Sequence, residues 1–467
     1  MSAQFTAAEL AALTGGTLAR GEPAHALEGA TLDSRSVEPG QLFVAIRGPR
    51  HDGHDHALAA ARAGAAGLLV RRGFSPEEPL PPSVAVVEVE DTTRALGRLA
   101  RGIRKRFRGP VVAITGSTGK TTTKEMCAAI LGQVAPCLRT PGNLNNQFGL
   151  PLSLLGLEAH HRFAVVELGM NHRGEIGALA EIACPDVGVL LNVGPAHIEH
   201  LGSLEAIAEE KGDLLAHLPA EGRAVVNADD PRVLAQARRS PAPVLHFGRE
   251  ADAEVRAEQV RPGSRGFRFV LRAPEGSLPV EVAGLAAVTV ENALAAAAAA
   301  LAAGAPLDAV GEGLARFRGV PGRFEPLRLR GGSTLVDDSY NANPRSVSEA
   351  LRTVAERRGP GRAFAVLGTM GELGGEARAA HREAGALAAR LGIAGLVALG
   401  EHAHELAAGA AGAGLPEERI RVARGAEDAA DWVAAALCPG DWVLVKGSRA
   451  ARMERVVQAL VALVGEA

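Results

Sequence analysis

The string ITGSTGKTTT (Ile114–Thr123) holds the residue types that bind a phosphate. It follows an apolar run, VVAIT, and opens a helical pattern, TTKEMCAAILG. At such a helix start, backbone N–H groups point at an anion. Lys120 would neutralise β- and γ-phosphates, and the Thr121 hydroxyl would ligate Mg²⁺. The loop is shorter than GxxxxGKT, because Ile114 stands at the earlier glycine position. Its candidates are Gly116, Ser117, Thr118, Gly119, Lys120 and Thr121, and the chemistry expected is ATP-driven.

Two further groups fall where a parallel sheet presents side chains to a ligand. Glu167 ends AVVELG, and His197 lies in NVGPAHIEHLGS just after another apolar run. The carboxylate suits Mg²⁺, whereas imidazole favours softer metals. Taken alone, Glu167 reads equally well as a plain strand-end carboxylate, and His197 as a plain loop histidine. His51, His54, His56, His160 and His161 read as surface or turn histidines.

Scarcity supplies a second signal. Lys occurs only at positions 105, 120, 124, 211 and 446, among 50 Lys and Arg residues in total. A lysine here invites the question of why arginine would not serve, since Arg is a permanently charged fork and Lys a compact amine that can be deprotonated and modified. Lys211, in AEEKGDLL, reads either as a solvated helix lysine or as a retained amine with a task. Asn is similarly rare. Asn143, Asn145 and Asn146 cluster in TPGNLNNQFGLP, while VDDSYNANPRS holds Asn341, Asn343 and the sole Tyr, Tyr340. Gathering the rarest types after a strand marks these strings as functional loops rather than plain turns.

The elements that must position these residues fall into three segments, as the 467-residue length requires. Residues 1–107 mix short strands such as Leu42–Ile46 with helices near 57–63 and 94–107, after an amphipathic N-terminal helix. From Val111, continuous apolar runs (VVAIT, RFAVVELG, VGVLLNVG, GRAVVNAD) alternate with helices, as in a parallel sheet buried on both faces. From Gly322, STLVDDS, AFAVLG, GLVALG and DWVLVKG form a second α/β alternation, with helices over 346–356 and 381–391. The fold class expected is α/β, with a central ATPase-type parallel sheet.

Composition excludes several classes. The net charge is −3 and the aromatic residues number 12 Phe, 2 Trp and 1 Tyr, too few rings for stacking single-stranded nucleic acid. The longest apolar run, 293–303, is mostly alanine and too short to span a bilayer. Cys127, Cys137, Cys184 and Cys438 form no CxxC pair and read as reduced, mostly buried thiols of a cytoplasmic protein.

With these strings assembled, the chain resembles the Mur ligase family of peptidoglycan synthesis over essentially its whole length. TGSTGKTTTKE, GNLNNQFGLPLSLL, ELGMN, NVGPAHIEHLGS, EEKGDLL, NADDP, PGRFE, DDSYNANP, LGTMGELG and VKGSRAARME stand in the family's order. NLNNQFGLP and DSYNANP point to the member that adds D-alanyl-D-alanine to UDP-N-acetylmuramoyl-tripeptide. A folate–polyglutamate or other amide ligase on the same core, and an ATPase without ligation, are the rival readings.

The resemblance implies three domains: a UDP-sugar domain (1–107), an ATP domain (108–321) and a Rossmann-like domain (322–467) that brings the dipeptide. It implies ATP and Mg²⁺, a cytoplasmic monomer and no membrane or nucleic-acid partner. By motif, Gly116–Thr121 bind phosphates, Thr121 and Glu167 hold one Mg²⁺, and His197 with a carbamylated Lys211 holds a second. Arg323 reaches the γ-phosphate and Asp338 the ribose. Asn292 contacts adenine, although GLAAVTVEN lacks the His of the family's G-x-H-N-x-x-N string. Ser34, within Asp33-Ser34-Arg35, faces the UDP-sugar, and Asn143, Asn341 and Lys446 face the substrates.

Overall fold

The computed structural model describes residues 3–49, 51–195, 198–250, 252–263 and 266–467. Three main sheets follow one another along the chain. The first has five strands in the order Thr17–Arg20, Ala85–Val89, Gly67–Arg71, Leu42–Val44, Ala30–Thr31, parallel except for the first pair. The N-terminus begins with the strand Gln4–Thr6, paired to Ala26–Glu28, before the helix Ala7–Thr14 starts. An uninterrupted helix was expected there. Thr6 is extended and caps the helix with Glu9 in a capping box, so the helix cannot begin earlier.

The central sheet has nine strands. Its parallel core runs Cys137–Arg139, Phe163–Glu167, Val111–Thr115, Val187–Leu190, Arg223–Asn227, Val244–Gly248. Phe163–Glu167 and Val111–Thr115 are wholly buried, which is why their runs are continuously apolar rather than alternating. The chain steps to one side of Val111–Thr115 first and returns to its other side at Val187–Leu190, so strand order reverses there. Ligands of open α/β sheets gather at such a reversal, beyond the carboxyl ends of the strands. Beyond Val244–Gly248, the strands Val255–Pro262, Gly266–Ala273 and Gly276–Ala283 extend the sheet, the last two joined by antiparallel pairing.

The helix Val288–Ala302 packs on the helix Lys120–Val134 and on the sheet. Its alanines 293 and 295–300 are fully buried. Alanine's small side chain lets helix and sheet approach closely, so this run is a core helix. Among the described residues no helix is long and apolar enough to cross a membrane.

The third sheet has six strands: Glu325–Arg328, Thr334–Asp338, Trp442–Lys446, Ala363–Leu367, Gly395–Ala398, Ile420–Val422, parallel after the first pair. Register sets Asp338 opposite Lys446, and Lys446 opposite Leu367. All four cysteines are free; only Cys127 is buried and Cys438 is exposed, so burial is less general than expected.

Candidate active site

At the end of Val111–Thr115 the chain turns through a loop pinned to the neighbouring strand end. Ser117 N donates to Asn192 O (3.0 Å), and Thr118 N donates to Asn192 Oδ1 (2.9 Å). Gly119 is in the left-handed region (φ +85°), and a Cβ there would lie 2.3 Å from Asn292 Oδ1. Glycine is thus required on two counts, conformation and space. The helix Lys120–Val134 then starts, and Lys120 Nζ donates to Gly116 O at 2.7 Å. Burial pushes the Lys120 ammonium below its ordinary value, with Arg323 adding to the effect and Glu167 and Glu372 opposing it. A site that strains one ammonium in this way is ready for phosphate oxygens.

Glu167 is 2% exposed, and its carboxylate is held from both sides. Oε2 accepts from Thr121 Oγ1 (2.9 Å) and Oε1 from Asn145 Nδ2 (2.7 Å). A carboxylate and a hydroxyl make an all-oxygen donor pair suited to a hard cation such as Mg²⁺. Among the described residues no group of three or more His, Cys, Asp or Glu converges, so such an ion would draw its remaining ligands from phosphates and water.

Across from this loop lies the third sheet. Asp338 Oδ2 accepts from Lys446 Nζ (2.6 Å), and Lys446 Nζ also donates to Asn341 O (2.9 Å). Arg323, on the connection between the two sheets, stacks its guanidinium 4.1 Å from the centroid of the Tyr340 ring. The two sheet ends and the connecting segment 317–326 enclose a cavity of roughly 630 Å³, within the usual size of small-ligand pockets.

The structure brings most of the sequence candidates to this cavity. Ser117, Thr118, Gly119, Lys120, Thr121, Asn143, Glu167, Asn292, Arg323, Asp338, Asn341 and Lys446 all line it. Ser34 does not; it follows the strand Ala30–Thr31 in the first sheet. His197 lies outside the described residues. Lys211 is 1% exposed and is not among the residues that line the cavity, although the Lys120 cation lies close enough to act on it. Burial pushes its amine well below the ordinary lysine value, with the Lys120 cation adding to the effect and Glu210 opposing it. The solvated reading of AEEKGDLL therefore fails. Glu210 is buried as well, accepting from Gly174 N and Ile176 N at the start of the helix Glu175–Ala183.

Several contributors carried no assigned role from sequence: Asn145 on Glu167, Asn192 on the phosphate loop, and Tyr340 under Arg323. Their rarity in this composition was the available signal.

Comparison with known proteins follows the same division. Family models described as Mur ligase family, catalytic domain, Mur ligase middle domain, and Mur ligase, glutamate ligase domain match residues 27–104, 114–300 and 322–449. The UDP-N-acetylmuramoyl-tripeptide–D-alanyl-D-alanine ligase of Escherichia coli (strain K12) is 39% identical over 93% of this chain and 94% of its own. The crystal structure of MurF from Acinetobacter baumannii superposes with a TM-score of 0.88 at 31% identity, covering 99% of each chain. MurF from Thermotoga maritima in complex with ADP gives a TM-score of 0.81 at 32% identity, over 93% of this chain and 97% of its own.

Proposed function

The chain belongs to the Mur ligase family, and on that premise we propose that it joins D-alanyl-D-alanine to UDP-N-acetylmuramoyl-tripeptide at the expense of ATP, a step of peptidoglycan precursor synthesis. The observation that carries the reading is the single cavity uniting the phosphate loop and Glu167 with Arg323, Asp338 and Asn341 from the facing sheet. Relatives named for this activity, one of them holding ADP, support the choice of substrates.

ATP is a substrate here. Gly116–Thr121 would bind its phosphates, Asp338 its ribose and Asn292 its adenine, with Arg323 reaching the γ-phosphate. Thr121 and Glu167 would hold one Mg²⁺, and His197 with a carbamylated Lys211 a second. That charge would screen the repulsion between a substrate carboxylate and the triphosphate. The depressed, buried amine of Lys211 supports the carbamate, since CO₂ adds only to a neutral amine.

The peptide carboxylate attacks the γ-phosphorus, giving an acyl phosphate and ADP. The D-alanyl-D-alanine amine then attacks the acyl carbon, and phosphate leaves as the amide forms. Lys120 and Arg323 act by position and charge. Ser34 would serve the UDP-sugar in a first domain (1–107), and Asn143, Asn341 and Lys446 the substrates between an ATP domain (108–321) and a dipeptide domain (322–467). A monomer working in the cytoplasm completes the reading, and the free thiols accord with a reducing compartment.

Phosphate release with UDP-N-acetylmuramoyl-tripeptide, measured with and without D-alanyl-D-alanine, tests the reading. Sustained turnover only with the dipeptide is expected. Turnover indifferent to it indicates an ATPase without ligation, and turnover with glutamate and a folate indicates the other amide ligase.

A further inference from the structure

Lys124 is wholly buried on the inner side of the phosphate-loop helix, one turn beyond Thr121. Its ammonium donates to two backbone carbonyls and pairs with one carboxylate. Nζ donates to Thr140 O (2.7 Å) and Gly142 O (2.9 Å), and Glu125 Oε1 lies 3.1 Å away. Two of the ammonium's donors are taken by backbone carbonyls, and the adjacent carboxylate compensates its charge. Arginine, with five donors in a plane, would leave some unpaired in the same space. This position explains a lysine retained in an arginine-rich chain.

The acceptors belong to the segment that runs over the end of Phe163–Glu167. Thr140 N donates to Val165 O (3.0 Å), and Thr140 Oγ1 accepts from Glu167 N (3.2 Å). Three residues past Gly142, Asn145 Nδ2 reaches Glu167 Oε1, and Asn145 O accepts from Gly169 N (2.8 Å). Glu167 Oε2 returns to Thr121 Oγ1 on the helix that carries Lys124. The bonds therefore close a ring through Thr121, Glu167, Thr140 and Lys124 and back along one helical turn, with Asn145 joined to it three residues beyond Gly142. Thr121 and Lys124 are three residues apart and share a helix face.

We propose that Lys124 is a positioning residue for the ligase reaction: by clamping the carbonyls of Thr140 and Gly142 to the phosphate-loop helix, it fixes Asn145, and through Asn145 the orientation of the Glu167 carboxylate. The proposal rests on the functional reading above for its effect on turnover, but its structural half stands apart from that reading. Supporting partners of this kind change activity by about 10–100-fold when removed.

The test uses the full chain with Lys124→Met, Asn145→Ala and the double variant. Hydrogen–deuterium exchange without nucleotide should show residues 140–149 exchanging about tenfold faster or more in Lys124→Met, with residues 163–166 of the strand unchanged. Turnover should fall at least about tenfold with the KM for ATP within twofold of the parent. The double variant should lose no more than the worse single variant, because both act through one carboxylate. Should Lys124→Met fail to fold, Lys124→Gln, which keeps one donor group, is read by the same three measurements. Unchanged exchange of 140–149, or losses that multiply in the double variant, would overturn the proposal. If Lys124→Met exchanges as described but the parent shows no dipeptide-dependent turnover, the functional reading falls and the clamp stands.

Discussion

Replacing Lys446 with Met isolates the electrostatics of the third sheet. Lys446 is 3% exposed, and the Asp338 side chain 14%. Met keeps most of the stem's volume but strands Asp338, whose remaining donor is Phe324 N at 3.2 Å, with Arg323 contributing charge nearby. Removing one partner of a buried pair costs about 3–5 kcal/mol, and the two remaining favourable groups put this case near about 3 kcal/mol. Burial already holds the Asp338 carboxyl above its ordinary 3.8, with Lys446 the main opposing influence. Without that cation the folded carboxyl binds its proton still more tightly. Stability of the variant then falls as pH rises from 3.8 through the folded value. The deficit against the parent is therefore full at alkaline pH and shrinks on acidification.

Urea unfolding followed by tryptophan fluorescence measures this selectively, because the only tryptophans, Trp432 and Trp442, both belong to the third unit. With a urea slope of about 1–3 kcal/mol per molar, the midpoint should drop by about 1–3 M at pH 8. Asp338→Asn/Lys446→Met should recover part of the loss, since neither charge is then stranded. A midpoint within about 0.3 M of the parent, or a double variant that loses the sum of the singles, would refute the reasoning.

Lys120→Arg should lower phosphate release by about a thousandfold despite keeping its charge, because a fork cannot replace a compact ammonium between phosphates; steady-state assay of phosphate release checks this. Gly119→Ala should weaken ATP binding by about tenfold or more, since it combines a φ of +85° with a clash on Asn292; calorimetric titration with ATP would show it, and a parent-like affinity would contradict the loop geometry. Lys211→Ala should be almost inactive and regain measurable turnover with acetate, a small anion with the oxygens a carbamate would present; full activity in Lys211→Arg would dispose of the carbamate.

The parallel core was legible because strands buried on both faces must be continuously apolar, and VVAIT and AVVELG are. The strand-to-helix loop at 116–119 was legible because its glycines and the lysine after them sit between an apolar run and a helical pattern. Less was visible from 244 to 283, where FRFVL and LPVEV carry mixed patterns; hairpins with one partly exposed face leave no continuous apolar run. Lys211 shows the limit for the site. Its flanking glutamates imitate a solvated helix face, and only the fold reveals Glu210 turned inward onto a neighbouring helix start. Asn145 and Lys124 stood in strings already marked as functional, yet their partners lie 22 and 16 residues away. Pairings of that kind are set by the strand crossing, which no local pattern encodes.

The placement of the lysines also makes the chain's amines a gauge of its integrity. Lys105 lies exposed on the helix Thr92–Arg106, whereas Lys124, Lys211 and Lys446 are buried. An acylating reagent or a lysine-specific protease therefore meets Lys105 first in the native protein and gains the interior positions only as the central and third units open. The extent of labelling at positions 124 and 211 would follow opening of the ATP-binding unit, and labelling at 446 that of its neighbour, giving two separate clocks within one polypeptide.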